Sequence, residues 1–207
     1  MQKNTSKFNR ITKMITVSVL STVFCFVLAG CGSKKQDTSS IAIDKEGAIT
    51  YTICEDFDGN NYDVEEFREK ALENINDYNQ DSLGDRVFLE SVKFDQDTMK
   101  ITVVLKYTTS SDFEHHNKVK FFYGTVEEAR DAGYELMANL VDPDGKAPKE
   151  ELYEQYKDKH VVITDCRDDI LTPAKIDYVS KGVVLDGKKK AALSKSNNEY
   201  VQIVLSK

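Results

Sequence analysis

Three histidines, four cysteines and 35 acidic residues are the side chains from which this 207-residue chain can build chemistry. Glu114-His115-His116 is the one histidine cluster. Adjacent residues point about 100° apart on a helix and to opposite faces on a strand, so His115 and His116 do not converge on one metal. His160 or distant carboxylates would have to complete a site there, and a solvated helix face explains the same letters. Asp56, Asp58 and Asn60 stand at alternate positions, as in the first half of a calcium loop. The match then fails, because Asn61 replaces the glycine and Phe67 replaces the bidentate glutamate. A turn leading into a helix cap accounts for these residues. The expectation is therefore no metal and no cofactor.

Nucleophile chemistry fares no better. The GxSxG, SxxK and HExxH patterns are missing, and no glycine-rich phosphate loop follows a strand. Cys166 beside Arg167 has the kind of charged neighbour that lowers a thiol pKa, but no motif sets a histidine next to it. No residue is assigned a catalytic role. Cys54 and Cys166 are far apart and form no CxxC pair. They read either as one long-loop disulfide or as two separate small hydrophobes in or beside strands. Phe121-Phe122-Tyr123 is the densest aromatic run. It suits stacking on sugar rings, but a strand buried on both faces is the simpler account, and tryptophan is absent from the chain.

The remaining thiol has a clearer context. Lys3, Lys7, Arg10 and Lys13 precede any acidic residue, and the mostly apolar run Met14 to Val27 follows them. Basic, apolar, then small is the order of an export signal. The apolar run is shorter than the roughly 20 residues needed to span a bilayer as a helix. The tetrapeptide Leu28-Ala29-Gly30-Cys31 that closes it resembles the lipobox of bacterial lipoproteins. That resemblance implies cleavage before Cys31 and a diacylglyceryl group on its sulfur. It also implies a lipid-anchored protein on the extracytoplasmic face of the cell membrane. Cys25 leaves with the signal.

Removing residues 1–30 takes away four basic residues and no acidic ones, so the formal charge moves from −7 to −11. A balance this acidic argues against nucleic acid as a partner, since that affinity comes largely from lysine and arginine neutralising phosphates. It equally argues against docking on anionic lipid through a basic surface, which leaves the membrane contact to the lipid anchor. The processed chain, 177 residues from Cys31 to Lys207, has the size of one domain and needs neither metal nor disulfide to fold.

The elements that must position these residues follow from periodicity. Residues 31–47, rich in Ser, Lys, Asp and Thr, read as the lipidated cysteine and a flexible tether, with the globular domain over 48–207. Ala48 to Phe57 alternates as a strand. Asp63, with Glu66 three residues on, reads as a capping box for a helix whose stripe is Val64, Phe67, Ala71, Leu72, Ile75 and Tyr78. A hairpin follows, Val87 to Phe94 and Lys100 to Tyr107, one face of its second strand wholly apolar. One helical turn is expected at Asp112 to Asn117 and a strand at Val119 to Tyr123. Thr125 and Glu128 form a second capping box, for a short helix that Gly133 stops. A strand is expected around Leu136 to Val141 and a third helix from Pro148, with Glu150 and Glu151 near its start. Strands then dominate: Val161–Thr164, Ala174–Ser180, Val183–Asp186, Ala191–Ser194 and Tyr200–Leu205, with Asp186-Gly187 as a hairpin turn.

The fold class is thus α+β, mainly antiparallel sheet with about three helices, in a single compact domain. The whole processed chain resembles the small uncharacterised lipoproteins of Clostridia-like Gram-positive bacteria. That likeness rests on Thr52-Ile53-Cys54-Glu55-Asp56-Phe57, on Tyr78-Asn79, and on Phe122-Tyr123-Gly124-Thr125-Val126-Glu127-Glu128-Ala129. It implies a shared fold without an activity. Two functions fit: a membrane-tethered, non-enzymatic module that binds an envelope protein or a small ligand, and an envelope enzyme whose site no motif marks.

Overall fold

Strict alternation over Lys100–Tyr107 turns Ile101, Val103, Leu105 and Tyr107 to one side, and all four are buried. The computed structural model describes residues 38–59, 62–148 and 152–206. Along the chain run β1 (Ser40–Ile43), β2 (Ile49–Asp56), α1 (Val64–Asp81), β3 (Val87–Asp95), β4 (Lys100–Tyr107), α2 (Ser110–Asn117), β5 (Phe121–Thr125) and α3 (Val126–Asp131). Then come β6 (Leu140–Val141), α4 (Leu152–Tyr156), β7 (His160–Thr164), β8 (Asp169–Leu171), β9 (Ile176–Ser180), β10 (Val184–Leu185), β11 (Lys190–Ala192) and β12 (Val201–Leu205). Seven strands form a first sheet in the order β10-β11-β8-β1-β2-β4-β3, and five form a second in the order β5-β7-β12-β9-β6. All pairings are antiparallel except β1 with β8. This is an α+β domain with one helix more than expected, and the described residues form one compact unit.

The chain alternates between the sheets after β7, so neither sheet is a continuous stretch of sequence. Ile49, Val103, Tyr107 and Val87 of the first sheet share one core with Phe121, Val162, Val179 and Ile203 of the second, closed by Ile75 of α1 and Phe113 of α2. The opposite face of the second sheet carries Leu140, Val161, Ile163 and Val204, which pack with Val126 and Ala129 of α3. With both faces covered, every residue of β12 is buried.

Four differences from the sequence reading have physical causes. The stretch taken for tether contains β1, which lies inside the first sheet between β2 and β8 with Ile41 0% exposed, so the domain begins before residue 48. Its flanks are polar and its parallel partner is over a hundred residues away, so local composition hides it. The α1 stripe is core only at Ile75, while Phe67 and Leu72 stay 37% and 38% exposed. This helix packs on the edge strand β3, so much of its apolar face has nothing over it. The expected turn at Asp112–Asn117 is an eight-residue helix with Thr109 as its N-cap. In place of a strand over Leu136 to Val141, only Leu140–Val141 pairs, because upstream backbone groups bond the buried Gln202 side chain. Met137 N donates to Gln202 Oε1 at 2.9 Å, and Gln202 Nε2 donates to the Glu135 carbonyl at 2.7 Å. Pro148 lies outside α4, and Glu150 and Glu151 fall outside the described residues.

Several local signals hold. Asp63 Oδ1 accepts from Glu65 N at 2.7 Å and Glu66 N at 3.0 Å, although Glu66 turns to Lys70 instead of completing a box. Asn79, at the end of α1, accepts from Arg86 N and Val87 N and donates to the Val87 carbonyl, each at 2.9 Å, which fixes where β3 starts. Among the described residues no helix is long and apolar enough to cross a membrane.

Candidate functional site

The sequence candidates do not gather. Cys31 lies outside the described residues, as do Asn60 and Asn61. The Asp56 carboxylate pairs with Lys100 at 3.2 Å. Among the described residues no three of His, Cys, Asp and Glu are grouped as metal ligands. His115 is exposed, its Nδ1 2.8 Å from the Ser111 carbonyl, and His160 stacks on Tyr123 with centroids 5.0 Å apart. His116 turns inward between the rings of Tyr78 and Tyr107, at 5.2 and 5.6 Å. Phe121 enters the shared core and Phe122 packs on the outer face of the second sheet, as expected of a strand covered on both sides.

Cys54 and Cys166 are both free thiols. Burial outweighs Arg167, which does pull the Cys166 pKa down. Burial pushes that thiol up to about 11. Arg167 spends its donors on the carbonyls of Asp165, Cys166 and Asn198.

Two polar clusters serve cohesion. Between α1, β4 and α2, Asn117 Nδ2 donates to the Tyr107 hydroxyl at 3.0 Å, and that hydroxyl lies 3.3 Å from His116 Nδ1. The Tyr78 hydroxyl donates to Asp112 at 3.3 Å. Burial raises the Tyr107 pKa to about 12 and lowers that of His116, whose Nε2 is buried without a partner. Elsewhere the Tyr51 hydroxyl donates to Asp168 at 2.8 Å, and burial followed by that carboxylate raises its pKa.

Concave surface occurs on the outer side of the second sheet. Thr125 and Glu128 form the complete capping box that starts α3, with Glu128 N to Thr125 Oγ1 at 3.1 Å and Thr125 N to Glu128 Oε2 at 2.7 Å. Those bonds to Thr125 hold the Glu128 carboxyl below its usual pKa. Gly133, at φ +89°, ends the helix while Tyr134 N donates back to the Ala129 carbonyl. The chain then runs to the Gln202 bonds described above. Between this bend, α4 and the sheet lies a cleft of about 290 Å³, with Ile163 of β7, Val126, Ala129 and Leu136 among its apolar walls. Arg130 holds its guanidinium 4.4 Å over the Tyr153 ring. Its acidic neighbours Glu127 and Asp131 are each 3.9 Å away, beyond hydrogen-bond reach. The Tyr153 hydroxyl is buried with no partner.

A more polar groove of about 500 Å³ is lined by Tyr156 of α4 together with Lys175, Asp177 and Tyr178. There Asp177 takes Lys175 at 3.3 Å, Lys159 at 3.6 Å and the Tyr156 hydroxyl at 3.3 Å. At the turn end of β3 and β4, Phe57 is ringed by Tyr62, Phe67 and Phe94 at 6.2, 6.0 and 5.4 Å, and Tyr62 is 67% exposed. None of these residues carries a sequence signature, because each site is assembled from segments far apart in the chain. No family model matches this chain, and no curated protein or solved structure shows significant similarity to it.

Proposed function

We propose that this protein is a lipoprotein of the cell membrane, held at the extracytoplasmic face by lipid on Cys31, and that its domain is a non-enzymatic binding module. The observation that carries the anchoring is Leu28-Ala29-Gly30-Cys31 at the end of a basic and then apolar N-terminus. Two acyl chains suffice for stable attachment where one is marginal. The binding reading draws support from the cleft behind α3. A mostly apolar hollow with a few placed polar groups is the form small-molecule sites take. The exposed aromatics around Phe57 add apolar surface of the kind that partners cover.

The test is detergent phase partitioning and intact mass of the chain expressed in a lipoprotein-processing bacterium. Wild type should enter the detergent phase carrying the mass of a diacylglyceryl group and lacking residues 1–30. Cys31→Ala should do neither. Wild-type chain in the aqueous phase with a free thiol at Cys31 would defeat the proposal.

A further inference from the structure

We propose that the cleft behind α3 binds a small molecule with an apolar body and a single carboxylate head, the head held by Arg130. This names a ligand for the binding module proposed above and rests on that reading. At about 290 Å³ this open cleft stands at the small end of ligand pockets, which run roughly 300–1,000 Å³. Its walls of Val126, Leu136 and Ile163 give water few polar groups to hold, so an apolar body gains by replacing it.

The head follows from the polar groups. The half-exposed Arg130 guanidinium lies over the Tyr153 ring and is loosely ion-paired with Glu127 and Asp131, at 3.9 Å each, so its N–H donors make no hydrogen bond to either. A planar fork so placed matches a carboxylate, with two parallel N–H···O bonds. The Tyr153 ring lines the same cleft, so the guanidinium it holds stands beside the apolar walls. Glu127 and Asp131 lie beside Arg130 and Glu135 lines the same cleft, so any anion meets repulsion there, and a doubly charged phosphate meets about twice that of a single carboxylate.

The probes are 4-phenylbutyrate and its neutral counterpart 4-phenylbutan-1-ol. Each is titrated calorimetrically into the full chain as purified from the processing bacterium, in lipid nanodiscs if it carries lipid and in buffer if it does not, with the matching blank. The carboxylate should bind about tenfold or more tighter than the alcohol. Arg130→Gln should remove that preference while the chain still melts cooperatively within a few degrees of wild type, and Arg130→Lys should restore part of the preference. No saturable heat from the carboxylate, equal binding of the two probes, or an unaffected Arg130→Gln variant would each overturn the inference. Anchoring is scored separately on the same preparations by phase partitioning. A lipidated chain that ignores the carboxylate defeats the ligand alone, and a binding chain without lipid defeats the anchor alone.

Discussion

Phe113 is the residue on which the two sheets and α2 meet, and its replacement tests the packing directly. Its ring is 1% exposed and stands edge-on to Tyr51, Tyr107 and Phe121 at 5.3, 5.1 and 4.8 Å. Truncating a core phenylalanine to alanine costs about 3–5 kcal/mol, and aromatic pairs add about 0.5–1.5 kcal/mol each beyond buried area. Phe113→Ala therefore belongs at about 5 kcal/mol, a large share of the roughly 5–15 kcal/mol that holds a domain. Phe113→Leu keeps much of the apolar body and loses the ring contacts, which places it at about 1–3 kcal/mol. Phe67 is 37% exposed and touches the Phe57 ring at 6.0 Å, so scaling the core value by its buried share gives about 2–3 kcal/mol for Phe67→Ala. Urea unfolding of residues 35–207, followed by circular dichroism, yields all three values. The order Phe113→Ala, then Phe67→Ala, with the denaturant slope unchanged, is expected. A Phe67→Ala variant less stable than Phe113→Ala would show that α1, and not α2, closes the core.

Two further outcomes follow. A chain starting at residue 48 lacks β1 and leaves the facing edges of β2 and β8 unpaired, so it should lose cooperative melting that residues 35–207 retain; equal melting curves would contradict the sheet order. Because burial lowers the folded pKa of His116, its contribution to stability is whole above the ordinary histidine value of 6.5 and is lost as pH falls from there through the folded value. Melting temperature should therefore drop more steeply over this window in wild type than in His116→Phe, and parallel curves would refute the buried neutral imidazole.

What was legible in the sequence was local. The alternation of Ile101, Val103 and Leu105 and the Thr125–Glu128 box depend on residues a few positions apart, and both hold. What was illegible depends on distant partners. Ser40–Ile43 forms a hairpin with β2 and is covered on its other edge by Asp169–Leu171, and a four-residue run between polar flanks carries no sign of that second partner. Amphipathicity told that α1 has an apolar face but not that an edge strand covers only part of it. The cleft brings together Arg130, Tyr153 and Ile163 from three elements, with no spacing for a motif to record. Even His116, whose divergence from His115 follows from helix geometry, gains its environment from Tyr78 and Tyr107, which only the register of β4 and the path of α1 bring close.

The corrected start of the domain also bears on what the anchor does. With the domain beginning at residue 48, seventeen residues separate it from Cys31, a reach of up to about 60 Å. With Ser40 already paired in the sheet, nine residues remain, and their fully extended reach is at most about 30 Å. On the proposed anchoring, lipid on Cys31 therefore keeps the Ser40 end of β1 close to the bilayer surface rather than far out on a long leash. On the same proposal the processed chain, with formal charge −11, gains nothing from anionic lipid at that distance, and its tie to the membrane is the acyl chains and not the protein surface. For the ligand proposed above, the apolar walls of the cleft supply the driving force and the single guanidinium held over Tyr153 supplies the selection.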